Sequence, residues 1–443
     1  MPLKIFFLPA LLLALVAAGA MAADNATPDQ PCTAAWAVHG QWTTLAQQHA
    51  GFTSPYSGAN SLDAQRRSAE TTDLTLSAGR RLWRGAELWF SPEIDQGFGL
   101  SNTVGIAGFP SGEAYKIGAN APYLRLPRLF LRQVVELGGA TEQVDAAPTQ
   151  LAGKRRSDKL TLSVGKLSVV DIFDSNSYAH DARFDFMNWS VIDAGAFDYA
   201  ADPWGFTYGA AAEWTQHGWT LRAGVFQLSS APNGKISRLD FSQYSMVAEL
   251  EARHQWLGHA GKIKLLGFAN HARMGRYSDA VQQAQVLDMA PDTSQVRHRG
   301  SRAGLAINLE QELAPDFGVF ARASANDGSQ EAYEFTEINQ SLAFGTTLKG
   351  ERWGRPSDAF GAALVVNALS GAAQRYFADG GIGILIGDGR LNYGTERIIE
   401  TYYSLHLQPR LTLAFDYQHV ANPAYNRDRG PVAIYGVRLH SEF

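Results

Sequence analysis

One cysteine stands in the 443 residues, Cys32, so no intrachain disulfide can form and no thiolate cage can hold a metal. It follows Asp29-Gln30-Pro31 rather than a small apolar run, which also argues against a lipidated cysteine. Positive charge is not in excess. Against 43 Asp and Glu stand 38 Lys and Arg, a net charge of −5, which leaves no basic footprint for nucleic acid. Long apolar runs are scarce as well. Residues 5–18 form one, and nothing else approaches the roughly 18 uncharged apolar residues that a membrane helix needs. Lys4 precedes that run and Ala20-Met21-Ala22 follows it, the pattern of a secretory signal. Pro9 and Gly19 shorten it below a spanning helix. Residues 1–22 are therefore expected to be a signal peptide, 23–35 a short N-terminal segment and 36–443 the folded body.

Chemical motifs are equally thin. Gly165-Lys166 lacks the register of a phosphate-binding loop, and Gly381-x-Gly383 meets Ile386 where a dinucleotide fingerprint needs Gly or Ala. Asp171, Asp174, Asn176, Asp181 and Asp185 form an acidic cluster, but the Gly and terminal Glu of a calcium loop are missing. Asp and Asn fixing turns is the favoured reading, with no metal. Ser404 and His406 share a strand face, and Ser441 adjoins His440, yet neither pair has an orienting third group or oxyanion donors. No enzyme and no cofactor are expected.

What the chain does contain is alternation. Its 43 Gly, 23 Phe, 16 Tyr and 10 Trp are set in segments with apolar and polar residues in strict turn. Trp36, Val38, Gly40 and Trp42 alternate with Ala37, His39, Gln41 and Thr43. Leu74, Leu76 and Ala78 alternate with Thr75, Ser77 and Gly79. A turn is expected over 80–85, and beyond it Leu88, Phe90 and Ile94 oppose Glu87, Trp89, Ser91 and Glu93. Phe206, Tyr208, Ala210, Ala212 and Trp214 oppose Thr207, Gly209 and Glu213, while Met246, Ala248 and Leu250 oppose Glu249 and Glu251. About sixteen such segments run to the C-terminus. They are long for a soluble sandwich. Aromatics cap modest apolar residues, as in the girdles of membrane barrels, and the opposite face carries both signs of charge, as a wetted lumen allows. Lipid cannot satisfy backbone N–H and C=O groups, so such a sheet must close. The expectation is an all-β transmembrane antiparallel barrel of about 16 strands. Tyr435, Val437, Leu439 and Phe443 share its last face, although Ser441 departs from the pattern. That aromatic end looks like the signal read by the barrel-assembly machinery.

Several blocks carry a family resemblance. They are His39-Gly40-Gln41 with the stretch 52–62, Leu82-Trp83-Arg84-Gly85-Ala86-Glu87-Leu88-Trp89-Phe90-Ser91-Pro92-Glu93, and 105–113. Further on come Gly165-Lys166-Leu167-Ser168-Val169-Val170-Asp171-Ile172-Phe173-Asp174-Ser175-Asn176, Asp185-Phe186-Met187-Asn188-Trp189, 387–394, 422–432 and 438–443. Together they resemble the carbohydrate-selective (OprB-type) porins, from about Trp36 to the end, faintly over 230–300 and 327–339. The resemblance implies a monomeric barrel in the outer membrane, a constriction formed by inward-folded loops, and passage of glucose-like carbohydrates.

Sugar-contact candidates follow from facing. Glu87, Trp89 and Glu93 project one way from one strand, with Arg128 and Arg132 on the next. A guanidinium or carboxylate can bond hydroxyl pairs, charge-assisted bonds being the stronger kind, and an indole can stack on a sugar's C–H face. Asp181, Arg183 and Trp189 join them if their loop dips into the lumen. The competing reading is that these charges pair across strands and only keep the lumen wet. Acids and bases alternate, so no strong field is expected, which suits a neutral solute better than an anion. The partners expected are carbohydrate solutes, outer-membrane lipids and the assembly machinery.

Overall fold

The computed structural model describes residues 34–114 and 118–443. The expected signal peptide, Cys32 and nearly all of the 23–35 segment lie outside the described residues. Sixteen strands follow in chain order: β1 (Trp36–His49), β2 (Arg67–Trp83), β3 (Ala86–Gly97) and β4 (Ala119–Val144). Next come β5 (Gly153–Leu167), β6 (Thr207–Gln216), β7 (Trp219–Gln227) and β8 (Tyr244–Trp256). Then β9 (His259–Met274), β10 (His298–Ala314), β11 (Phe317–Asn326) and β12 (Gln340–Gly350). The series ends with β13 (Arg355–Ala368), β14 (Glu396–Gln408), β15 (Leu411–Ala421) and β16 (Val432–Glu442). Each pairs antiparallel with its chain neighbours, and β16 pairs with β1 to close the barrel. No described helix is long and apolar enough to cross a membrane.

Period-2 alternation decides which face is which. On β8, Leu250 is 44% exposed on the outside while its neighbour Glu249 is 1% exposed inside. Leu76 and Val164 likewise look outward, Ser77 and Ser163 inward. Greasy residues outside and polar ones within are the reverse of a soluble core, and they suit a wall that meets lipid. At the closure, the Phe443 N–H donates to Gly40 O (2.9 Å) and Gly40 N–H donates back to Phe443 O (2.7 Å), so the last residue extends the ladder.

Two sequence expectations need correction. The turn placed over 80–85 is shorter: β2 continues through Trp83, which pairs with Ala86, and Arg84-Gly85 alone turn, with Gly85 at φ +78°. Phe206 is not in the outer aromatic girdle. The Asp202 carboxylate accepts from the Trp204 and Phe206 N–H groups (3.0 and 3.2 Å), which curls the chain before β6 begins. Phe206 is buried under the guanidiniums of Arg125 and Arg128, 5.2 and 4.9 Å from its ring centre. The girdle at the other end of β6 holds: Trp214 is outward and meets Trp219 edge-on at 5.0 Å.

The two ends of the barrel differ. At the end that holds Trp36 and Phe443, most connections are two to a few residues long. The exception is the β4–β5 hairpin. It bends at Gly138-Gly139 (φ +142° and +77°), where the register also slips. Its tip lies against the mouth: Leu151 is fully buried and Ala152 O accepts from Ala34 N–H (3.2 Å). At the opposite end the connections are long, and two stretches, 98–114 and 168–206, turn into the lumen. They carry much of the hydrophobic core, including Phe109, Phe173, Phe186 and Phe197.

Trp89, on β3, faces inward and lies across Gly79 of β2, where an added Cβ would sit 2.4 Å from the indole. Gly79→Val is therefore expected to displace that indole and cost about 1–3 kcal/mol through overpacking. The check is a lowered melting temperature of the compact form on heat-modifiability gels; an unchanged melt would show that the indole has room to move.

Candidate constriction

The 168–206 loop crosses the lumen to the far wall and returns. Its backbone needs partners at every step, since buried N–H and C=O groups are rarely left alone, and the wall supplies them as charges. Asp174 N–H donates to Glu249 of β8 (2.8 Å), and Ser177 N–H to Glu310 of β10 (2.7 Å). Arg438 of β16 donates to the carbonyls of Ala182, Phe184 and Asp185 (2.5, 2.8 and 2.9 Å). Glu400 of β14 accepts from the N–H groups of Met187 and Asn188, and a short helix, α1 (Trp189–Ile192), starts there with Asn188 as its cap. Arg322 of β11 donates to Val191 O (2.7 Å) and Ala179 O (2.8 Å) while pairing with the Asp174 carboxylate at 3.3 Å.

The 98–114 stretch is held the same way. Glu396 accepts from the N–H groups of Ala107 and Gly108 (3.0 and 2.7 Å), and Trp189 N–H donates to Phe109 O (3.1 Å). Phe109 stacks on Trp189 with ring centres 5.0 Å apart, and Phe335 approaches the same indole at 4.7 Å. The lumen is therefore not simply a wetted tube. Arg302, Arg322 and Arg438 are all but fully buried between wall and loops, so inward charges first serve as anchors.

Partly exposed charge remains where the loops pass the β2–β6 wall. Arg125 pairs with Glu93 and Asp95, and Arg128 holds Asp171 through two bonds (2.8 and 2.6 Å). Arg183, from the loop, reaches Glu113 (2.9 Å), Glu93 (3.4 Å) and Asp73 (3.5 Å). Glu93, Asp95 and Asp73 are buried behind, whereas the three guanidiniums and the Asp171 carboxylate keep an exposed edge. Burial, reinforced by the Glu93 and Asp181 charges, raises the Glu113 carboxyl above its usual range although Arg183 opposes it. The result is a ring of fixed N–H donors with carboxylates behind and beside it.

Of the eight residues expected from sequence, Glu93, Arg128 and Arg183 come together here. Glu87, Trp89 and Arg132 form a second group toward the turn end. Glu87 accepts from Trp89 Nε1 (3.1 Å) and pairs with Arg155 of the bent hairpin, while Arg132 donates to Thr149 O (2.6 Å) at the hairpin's tip. Trp89 is 0% exposed, so its ring faces are covered. Trp189 belongs to the aromatic packing between the two loops. Asp181 accepts from Arg183 N–H (2.9 Å) and so fixes the turn that presents Arg183. The acidic cluster is dispersed: Asp171 goes to Arg128, Asp174 to Arg322 and Asp185 to His180 N–H. No group of three or more ligands able to hold a metal occurs among the described residues.

Arg125 and Asp171 are the members of this ring that sequence reasoning missed. Arg125 and Arg128 lie three apart, which puts them on opposite faces of a regular strand. A bulge in β4 sets Leu126 and Pro127 against the single Pro92 of β3, with Ser91 opposite Arg128 and Glu93 opposite Arg125, so both turn inward. A proline within the strand was the available signal.

The sequence pattern of the carbohydrate-selective porin, OprB family, matches residues 59–443. The chain belongs to that family. Among solved structures it is similar to OprB of Pseudomonas putida. The high-pH structure superposes with a TM-score of 0.70 at 16% identity, covering 92% of this chain and 94% of that one. The low-pH structure gives 0.50 at 12% identity, covering 92% and 93%. Identities this low speak for the shared fold. No curated protein matches. As a carbohydrate-selective porin of the outer membrane, the barrel has its long loops outside the cell and its short turns, with the bent hairpin, in the periplasm.

The porin's inner loop depends on Arg322. Arg322→Met removes the bonds to the Val191, Asp174 and Ala179 carbonyls and leaves the buried Asp174 carboxylate without a cation, a loss of about 3–5 kcal/mol for a broken buried pair. The expected outcome is a larger and noisier single-channel conductance in planar bilayers. A conductance identical to that of the native channel would mean that the loop is held elsewhere.

Proposed function

We propose that this porin passes glucose-like carbohydrates by passive diffusion through the ring of Arg125, Arg128, Asp171 and Arg183, with weak binding there and no energy coupling. The supporting observation is the arrangement of charge. Guanidinium edges, held in place by carboxylates and by the Phe206 ring, offer paired donors to sugar hydroxyls, while Asp171 offers an acceptor. Each cation has an acid partner, so the ring holds directed hydrogen-bonding groups with little net field. Such a site grips a neutral polyol without trapping it, and a solute must be able to leave as readily as it enters.

Glu93 acts from behind by fixing Arg125 and Arg183. Glu87, Trp89 and Arg132 act at the periplasmic exit, where the hairpin covers them, and Trp189 shapes the loop. The same reading takes residues 1–22 as a cleaved signal, the barrel as a monomer, Phe443 as the end of the strand offered to the assembly machinery, and the protein as a channel without catalysis.

Arg128→Ala is expected to raise single-channel conductance and weaken block by glucose several-fold, because Arg128 borders the open ring. Arg132→Ala is expected to do much less, its guanidinium being spent on the hairpin. If Arg128→Ala leaves both quantities at native values, the ring is only lumen electrostatics.

A further inference from the structure

The outer wall carries a feature that the channel does not use. Between β5 and β11 the lipid-facing side chains shrink to Ala210, Ala223, Ala248, Gly267, Ala269 and Ala303, and the surface dips into an apolar groove of about 1330 Å3. Larger residues rim it, among them Val225, Met246 and Leu305. The groove is backed from inside, where Phe226 lies over Gly209 and Gly224, and Phe268 over Gly304.

Following the same outward faces of β9 and β10 toward the cell surface, the ladder changes chemistry. Ala269 pairs with Ala303, His271 with Ser301, and Arg273 with Arg299. Tyr244 of β8 packs on His271 with ring centres 5.0 Å apart. Four residues, about 13 Å of strand, separate the small side chains from the two arginines. Like charges directly opposite one another destabilise a sheet. Among the described residues this is the only place where two arginines face each other across a ladder. Neither has a carboxylate partner there. The Arg273 guanidinium donates to Arg297 O (3.1 Å), and Arg299 is exposed. Acids of the loops at this end have other partners: Asp240 pairs with Arg238 (3.0 Å), Glu331 with Arg297 (2.7 Å), Asp292 accepts from Ser294 N–H (2.8 Å), and Asp327 from Ser329 N–H (3.0 Å).

We propose that this wall is a docking site for one lipopolysaccharide molecule, a lipid A phosphate between Arg273 and Arg299 and acyl chains in the groove below. The order of the chemistry carries the assignment. A doubly charged anion satisfies both guanidiniums at once, the His271–Tyr244 pair lies at interface height where aromatics settle, and the groove begins where hydrocarbon begins. The outer leaflet, which faces the long-loop end, is where phosphorylated multi-acyl glycolipid resides. The site faces away from the lumen, so it is independent of the sugar reading above and rests only on the outer-membrane placement.

Native mass spectrometry of the detergent-solubilised barrel tests this. The native protein is expected to retain one purified hexa-acyl lipid A, to bind the dephosphorylated lipid at least tenfold less, and not to retain phosphatidylglycerol. The double variant Arg273→Ala/Arg299→Ala is expected to lose retention by a similar factor, and Ala248→Trp, which fills the groove and leaves the cations, to lose it too. Heat-modifiability and native single-channel conductance show that both variants are folded. Equal retention of phosphorylated and dephosphorylated lipid A by the native protein overturns the proposal, as does displacement of lipid A by equimolar phosphatidylglycerol.

Discussion

Charged side chains on the barrel wall bonding the backbone of inward loops is the interaction on which the rest of this porin depends. A wall in lipid must satisfy its own backbone, and closing sixteen strands does so. A loop folded into the lumen has no such ladder. Its N–H groups are taken up by wall carboxylates, as Glu396 does for Ala107 and Gly108, and Glu400 for Met187 and Asn188. Its carbonyls are taken up by wall guanidiniums, as Arg438 does for Ala182, Phe184 and Asp185. Charged partners make the stronger bonds. A few of them can thus fix a long irregular segment that has little regular structure of its own.

That division of labour places the ring proposed as the constriction. Where wall charges are consumed by loop backbone, the lumen is filled. Along β2–β6 the wall's arginines meet side-chain carboxylates instead, and space is left beside them. Arg183 comes from the loop and Arg125 and Arg128 from the wall, so the ring forms only when the loop is seated. The bent β4–β5 hairpin works differently, with Arg155 pairing with Glu87 and Leu151 buried at the periplasmic mouth.

The wall was legible in the sequence because one rule, alternation, governs every strand. Leu250 beside Glu249 needs no context to be read. The rule fails where the chain leaves the ladder. Phe206 continues the periodicity of β6 by one step, yet an Asp202 turn pulls it inside. Arg125 breaks the periodicity of β4, yet the bulge at Leu126-Pro127 restores its inward face. The candidate site was therefore half legible. Glu93, Arg128 and Arg183 are identified by facing or motif, but which inward charges stay solvated depends on where a thirty-nine-residue loop (168–206) lies, and no local pattern encodes that. Trp89 and Trp189 show the same limit. Their chemistry suits a sugar, while their surroundings cover them.

The central claim is that fixed donors and acceptors with little net field select neutral carbohydrates. Liposome swelling tests it most directly, with glucose compared against a zwitterionic amino acid of similar size in vesicles holding the folded barrel. The account predicts clearly faster swelling in glucose, and a loss of that preference when Arg125 and Arg128 are both replaced by Ala. Equal rates for the two solutes in the native channel would contradict it.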